Sequence, residues 1–211
     1  SNSNVLAKSY LTSTLSQAGT TINLKNVYFN STQSNGFPDE GEVLIPFYDT
    51  SVTPNRWNME RILYGSKNTS ANTLTVATNG RGNEGTTAAA HTVLTGTYSV
   101  SQNSTSVTIS LGSNHNFTTG ENRVYLDFTS GTNIVQTDNN AADPSNNYVT
   151  HTPPDGVYDV TVVSAQVFTI EIPNELRRIN PASANSYFDT GYPATITGNV
   201  SLLPEVRLRS L

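Results

Sequence analysis

The chain contains no cysteine, and this absence excludes both a disulfide framework and thiolate metal sites. It is also poor in charge: only 13% of the residues are charged, and the net charge is -5. Such a surface lacks the basic stripe that neutralises phosphates, so we expect no nucleic acid partner. Stability has to come from packing and assembly, and the chain can fold in a reducing cytoplasm.

Long apolar runs are missing as well. No stretch approaches the ~20 apolar residues that span a bilayer. The sequence begins Ser1-Asn2-Ser3-Asn4, without the basic and apolar regions of an export signal. We therefore expect neither membrane insertion nor export.

Asn, Ser and Thr are abundant, at 25, 23 and 30 residues of the 211. These side chains favour turns, caps and exposed strand faces over helix interiors, because they compete for nearby backbone groups. A chain of this length can still bury a core of its own. The composition indicates a β-rich protein with many turns.

Apolar residues alternate with polar ones in a first series of short segments between residues 20 and 103, which predicts a first β module. Its alternating positions are Ile22 and Leu24, then Tyr28, then Val43, Ile45 and Phe47, then Ile62 and Tyr64, then Leu74 and Val76, and finally Tyr98 and Val100. Residues 1–19 before it show partial helical spacing. A short helix, an arm that docks on a neighbour and a locally packed terminus all remain open for this N-terminal arm.

A second alternating series predicts a second β module over residues 104–172. Its apolar positions are Val107, Ile109 and Leu111, then Val124, Leu126 and Phe128, then Tyr158, Val160 and Val162, and finally Phe168, Ile170 and Ile172. The aperiodic insert Gly131–Asp155 predicts an exposed loop, whose Asp138, Asp143 and Tyr148 are candidate partner contacts. The fold class we predict is all-β, with two small antiparallel barrel-like or sandwich-like modules and extended termini.

Residues 173–211 predict a C-terminal extension. Asn174–Ile179 could form one helical turn that is capped by Asn174, and the stretch from Ile196 to Arg209 predicts one or two strands. This extension could pack on its own domain or pair with another subunit. Arg207 and Arg209 are therefore candidate partner contacts.

Arg, Gly, Thr and His are crowded between Arg81 and His91, which suggests an active site at first sight. The chain has only three histidines, His91, His115 and His151, and none lies in a nucleophile or metalloprotease motif. Their spacing matches no metal site, and the Asp138–Asp143 run lacks the spacing of a calcium loop. We expect a protein that is not an enzyme, with no catalytic residue, cofactor or metal.

Two carboxylates could still support glycoside hydrolysis if distant strands brought them together. Glu40, Glu42, Glu60 and Asp127 are available for this role. Acids that flank turns or lie on exposed strand faces more simply keep a protein soluble. The sequence favours that simpler role.

The glycines Gly80, Gly82 and Gly85 do not form a phosphate-binding loop, since no Lys-Ser/Thr pair and no long helix follow them. They more simply permit positive φ in a compact loop. Arg81 is then predicted to cross-link this loop through its guanidinium, with Glu60 as its partner. We expect Glu60, Arg81, Gly82, Gly85 and His91 to be structural residues of the loop.

The same stretch resembles a module that recurs in virion proteins of tailed bacteriophages. The residues that carry the resemblance are Gly36-Phe37-Pro38, Glu60-Arg61-Ile62-Leu63-Tyr64, Arg81-Gly82 and Gly85-Thr86-Thr87-Ala88-Ala89-Ala90-His91. The insert from Phe47 to Met59 departs from that module and makes pairing of the strands on either side of it less certain. The second series is similar to small β modules of phage structural proteins, as in His115-Asn116-Phe117-Thr118-Thr119-Gly120 and Gly156-Val157-Tyr158-Asp159-Val160.

The resemblance implies a structural virion component, assembled in multiple copies in the tail, neck or fibre-attachment region. It implies homo-oligomerisation, other virion proteins as partners and assembly in the host cytoplasm, and it brings no catalytic residue. A capsid decoration protein is one alternative. A module that binds host carbohydrate or another receptor is a second alternative, because Trp57 with Tyr48, Tyr125 and Tyr148 could stack on sugars if displayed together.

Overall fold

The computed structural model describes residues 7–27, 36–101, 104–129, 152–174 and 195–209. These residues form two curled antiparallel sheets, which confirms the prediction of an all-β protein with two small antiparallel modules. The strands, in chain order, are β1 (Lys8–Tyr10), β2 (Thr21–Asn23), β3 (Gly41–Asp49), β4 (Arg56–Asn68), β5 (Thr73–Val76), β6 (Leu94–Ser101), β7 (Ser106–Leu111), β8 (Arg123–Phe128), β9 (Gly156–Asp159), β10 (Thr161–Val162), β11 (Val167–Glu171), β12 (Thr195–Leu203) and β13 (Glu205–Leu208).

The chain divides into two compact units, and the second is inserted into the first. Unit 1 comprises residues 1–93 and 203–211, and unit 2 comprises residues 94–202. The strands that lead into and out of unit 2, β6 and β12, pair along their length from Thr195↔Ser101 to Leu202↔Leu94. The two ends of the insertion are therefore neighbours in the sheet.

Unit 1 is built on a six-stranded sheet of order β1-β13-β3-β4-β5-β2. Its outermost strands β1 and β2 approach each other, since Leu11 bridges Leu24 and the Thr12 N–H donates to the Asn23 carbonyl at 3.0 Å. The inward residues of these strands form the core. They include Leu11, Ile22, Val43, Ile45, Ile62, Leu74 and Val206, all of them fully buried.

Unit 2 is built on a seven-stranded sheet of order β10-β11-β7-β6-β12-β8-β9. Only Val160 separates the two outermost strands, β9 and β10, along the chain. Its core is richer in aromatic residues, with Tyr98, Phe128 and Phe168 among the buried side chains. The rings of Tyr98 and Phe128 meet edge to face with centroids 5.2 Å apart.

The structure decides between the alternatives for the N-terminus and differs from the sequence in the assignment of one segment and one boundary. Residues 7–19 are a locally packed terminus: β1 pairs with β13, and Ala7, Leu11 and Leu15 lie in the core of unit 1. The segment around Tyr98, assigned above to the first module, is β6 of the second sheet. The boundary between the units therefore falls at residue 93 rather than 103, because β6 finds its partners β7 and β12 in unit 2.

The C-terminal stretch contributes one strand to each sheet. Strand β12 lies between β6 and β8 in unit 2, and β13 lies between β1 and β3 in unit 1. Both ends of the insert from Phe47 to Met59 are strand, joined by a turn at residues 50–55: β3 and β4 pair without interruption from Gly41↔Tyr64 to Asp49↔Arg56. The predicted turn at Asn174–Ile179, except for Asn174 itself, and most of the predicted loop Gly131–Asp155 lie outside the described residues.

Candidate functional site

A buried carboxylate, Glu60, organises the loop that the sequence singled out. Glu60 lies on the inward face of β4 opposite Ile45 and is fully buried. A charge in such a place is costly unless partners neutralise it and satisfy its lone pairs. Arg81 and His91 from the following loop supply those partners, and we call these three residues the Glu60 cluster.

Arg81 uses all five of its N–H groups. Nε donates to Glu60 Oε1 at 2.8 Å and Nη2 to Glu60 Oε2 at 3.1 Å, so the guanidinium holds the carboxylate in a two-pronged ion pair. Nη2 also donates to the Ala89 carbonyl, and Nη1 donates to the carbonyls of Ser16 and Gly19. One side chain therefore ties together β4, the 81–91 loop and the N-terminal segment, which lysine could not do.

Glu60 accepts five hydrogen bonds. Besides the two from Arg81, it accepts from the backbone N–H groups of Gly82 and Ala89 at 3.0 and 3.2 Å and from His91 Nε2 at 2.5 Å. Burial raises the pKa of Glu60, but the bonds from His91, Arg81 and the two N–H groups outweigh burial and lower the pKa to about 2. The carboxylate is held ionised, with its oxygens fully occupied.

His91 faces an oxygen acceptor with each ring nitrogen. Nε2 meets Glu60, and Nδ1 lies 3.1 Å from the Pro46 carbonyl, which can only accept a hydrogen bond. Both contacts are hydrogen bonds only if both nitrogens carry a proton, so the geometry fits the imidazolium form. The ring also packs edge to face against Phe47, and its backbone bridges Leu15 through two hydrogen bonds.

The path of the loop requires glycine at position 82. Gly82 has φ 59 and ψ 37, and a Cβ there would lie 2.9 Å from the Thr86 carbonyl and 3.0 Å from the Ala88 nitrogen. This conformation aims the Gly82 N–H at Glu60. Gly85 has a positive φ of 78 as well, but a Cβ there would meet no neighbouring atom within 4 Å.

A second charged network joins the loop to the C-terminal strand. Glu42 is 4% exposed and contacts Arg209 at 3.2 Å, Arg61 at 3.7 Å and the Asn83 amide at 3.1 Å. Glu84, which has a positive φ of 51, bonds both Arg61 and Arg209. Arg209, predicted above to contact a partner, is thus engaged within unit 1.

Unit 2 contains a comparable structural histidine. The Phe117 N–H donates to His115 Nδ1 at 2.9 Å, and His115 Nε2 donates to the Ser164 carbonyl at 2.7 Å. Because Nδ1 accepts a hydrogen bond, the donating ring proton of this histidine lies on Nε2. The ring is buried, stacks on Phe117 and joins two loops of unit 2.

The remaining candidate residues are spread out. Trp57, 39% exposed, lies near the end of the β3–β4 hairpin with its ring centroid 5.5 Å from that of Tyr48. Arg207 in β13 is 47% exposed, and its guanidinium lies 4.0 Å from Glu205. Asp138, Asp143 and Tyr148 lie outside the described residues.

Sequence reasoning paired Arg81 with Glu60 but missed several members of the site. It did not find the Ser16, Gly19 and Ala89 carbonyls, because backbone acceptors leave no mark on residue identity. It also missed the network of Glu42 and Glu84. Alternation in β3 places Glu42 on the face opposite to Val43 and Ile45, so no signal in the sequence shows that this carboxylate is buried.

The contacts of the Glu60 cluster stabilise the 81–91 loop against β4 and the N-terminal segment. The oxygens of Glu60 and the N–H groups of Arg81 are already engaged within the fold, and neither His91 nitrogen faces an open position. Across the described ranges, no three His, Asp or Glu side chains are grouped so that they could hold a metal ion. In the same part of the chain, no helical segment combines the length and the hydropathy needed to span a bilayer.

Comparisons of this chain with protein-family models, with curated proteins and with solved structures found no match.

Proposed function

We propose that the protein is a non-enzymatic structural component of a tailed-phage virion, assembled in multiple copies in the tail, neck or fibre-attachment region. The proposal rests on the resemblance of residues 36–91 and of the second series to phage virion modules. The observation that carries it is the internal saturation of the Glu60 cluster. Arg81 and His91, which suggested an active site at first sight, instead bind Glu60 and hold the 81–91 loop to the sheet of unit 1.

A structural role makes physical sense of this arrangement. A virion part has to keep its shape while it makes many weak contacts, and symmetry makes such contacts sufficient. A loop fixed by a five-bonded carboxylate and a five-bonded guanidinium presents the same surface in every copy. The partners would be other copies of this chain and neighbouring virion proteins.

Location within purified particles tests the proposal. Quantitative mass spectrometry of gradient-purified phage particles should find the chain at a fixed number of copies per particle. A density map of the intact particle should place the two sheets in the tail, neck or fibre-attachment region. Density on the capsid surface would instead favour a decoration protein, and absence of the chain from purified particles would refute a virion role.

A further inference from the structure

The sheet of unit 1 is completed by one short strand from the C-terminal stretch. β13 lies between β1 and β3 and pairs with both, and its Val206 is fully buried in the core of unit 1. Just after the strand, the Arg209 N–H donates to the Glu42 carbonyl at 2.8 Å, and the Arg209 guanidinium contacts Glu42 and Glu84. Without β13, the facing edges of β1 and β3 would have no strand between them. The space between β1 and β3 is therefore a binding site for one strand, and we call it the β13 slot.

The connection that leads into β13 is one residue long. β12 belongs to the sheet of unit 2 and ends at Leu203, and β13 begins at Glu205, so Pro204 alone lies between them. The Pro204 carbonyl accepts a hydrogen bond from the Leu11 N–H at 2.9 Å, which fixes this residue to unit 1 as well. A hinge as short as this favours the exchange of the segment beyond it between copies.

The outer edges of the described sheet of unit 1 are closed against a strand from another copy. The outermost strands β1 and β2 are bridged through Leu11 and Leu24, and the Lys25 N–H donates to the Tyr10 carbonyl at 3.0 Å. A second copy can therefore pair with this sheet by supplying a strand that the sheet already uses. β13 fits this role because unit 2 separates it along the chain from every other strand of its sheet.

From these observations we infer that copies of this chain exchange β13, so that the β13 of one copy fills the β13 slot of another. The contacts of β13 with β1 and β3 are the same whichever copy supplies the strand. The closed and exchanged forms therefore differ only in the path of the chain at Pro204 and in the number of chains. Mass action keeps the dilute chain closed and favours exchange where copies are concentrated. The inference rests on the proposed multi-copy role and names the strand through which copies are joined.

A chain without cysteine allows the exchange to be trapped by an engineered disulfide. Lys8 and Arg207 are exposed and lie opposite each other in β1 and β13. The neighbouring bond from the Leu208 N–H to the Ala7 carbonyl makes theirs a non-hydrogen-bonded pair. The Cα atoms of such a pair lie about 4.5 Å apart, within the range of a disulfide. The double variant Lys8→Cys/Arg207→Cys should therefore link β1 to whichever β13 lies beside it.

Thr21 and Thr75 provide a matched control. They are exposed and paired in β2 and β5, and the neighbouring bond from the Val76 N–H to the Thr20 carbonyl gives them the same kind of pairing. Both strands precede unit 2 in the chain, so exchange of β13 does not separate them. After refolding at high concentration and oxidation, non-reducing gels should show covalent dimers or larger species for Lys8→Cys/Arg207→Cys. Thr21→Cys/Thr75→Cys should remain a covalent monomer.

The hinge provides a second test, on the chain without engineered cysteines. Sedimentation velocity after concentrated refolding should show dimers or larger species that persist on dilution, because their dissociation requires β13 to leave its slot. Inserting about four glycine and serine residues between Leu203 and Pro204 should weaken the association about 10-fold or more, because a longer hinge lets β13 return to its own chain.

The inference is overturned if both cysteine pairs give only monomers, if both give equal amounts of multimers, or if the unaltered chain is monomeric after concentrated refolding. Dimers that dissociate as soon as they are diluted would also overturn it, since they would be held by surface contacts. Circular dichroism melting of the reduced variants should match that of the unaltered chain, so that misfolding does not account for a negative result. These measurements use no phage particles. Their failure would therefore leave the virion proposal to its own test.

Discussion

Of the two side chains that bind Glu60, the sequence predicts Arg81 but not His91. Arg81 could be paired with Glu60 from the sequence because an arginine in a glycine-rich loop needs an acceptor and Glu60 lies in a predicted strand nearby. The bond from His91 to Glu60 could not be predicted in this way. It depends on the position of the backbone at residue 91, and the backbone bridge to Leu15 holds that position.

Replacing the buried carboxylate should be costly. Glu60→Gln leaves the positive charge of Arg81 without a counterion, and breaking a buried pair in this way costs about 3–5 kcal/mol. Calorimetry should show a lower melting temperature for unit 1 and an unchanged transition for unit 2. Arg81→Lys, which keeps the charge but loses the fork, should also destabilise unit 1. Equal melting of Glu60→Gln and the unaltered protein would show that the cluster adds nothing to stability.

Acid should unfold unit 1 through the same group. The pKa of Glu60 is lowered from 4.5 to about 2 in the folded chain, so its contribution is fully present above pH 4.5 and is lost as the pH falls towards 2. Linkage puts this contribution on the order of 3 kcal/mol. Equilibrium unfolding in urea, measured from pH 6 to pH 2, should show a smaller pH dependence in Glu60→Gln. Parallel curves for the two proteins would contradict the assignment.

At the scale of elements, alternation found most strands but could not assign them to sheets. Tyr98 and Val100 have the same alternation as the strands before them, yet β6 pairs with β7 and β12 in unit 2. Periodicity predicts which face of a strand is buried, but it does not predict which strand pairs with it. Leu11 and Leu15 likewise show a helical spacing of four. In the structure they make separate bridges to Leu24 and His91.

The 81–91 loop should tolerate an added methyl group at one glycine and resist it at another. Gly82→Ala forces alanine into a left-handed conformation and into contact with the Thr86 carbonyl, and should destabilise unit 1 by about 2 kcal/mol or more. Gly85→Ala meets only the conformational penalty and should lose about 1 kcal/mol. Urea unfolding of the two variants measures the difference. The reverse order would mean that this loop follows another path.

At the scale of the molecule, the boundaries between units were the hardest feature to predict. The sequence places the two β modules one after the other, whereas the chain inserts unit 2 into unit 1 and returns to β13. The insertion is seen in the pairing of β13, whose four residues lie between β1 and β3 in the sheet of unit 1. So short a strand carries too little pattern to show which sheet it joins.

Two deletions test the insertion. Removing residues 203–211 takes β13 from between β1 and β3 and should abolish the unit 1 transition while unit 2 still unfolds cooperatively. Replacing residues 94–202 with a linker of about three residues should leave unit 1 folded, because Leu94 and Leu202 are paired neighbours. Amide spectra distinguish the outcomes. A folded unit 1 in the first variant would refute the closing role of β13.

The late return of β13 has a consequence for synthesis on the ribosome. The first 93 residues emerge early, but β1 and β3 have no strand between them until residues 205–208 follow, after all of unit 2. Unit 2 can thus fold while β1 and β3 of unit 1 each still have one unpaired edge. Translation that stops after β12 is complete but before residue 205 should yield a nascent chain in which unit 2 is folded and unit 1 is not, and chaperones should bind that unfolded unit 1.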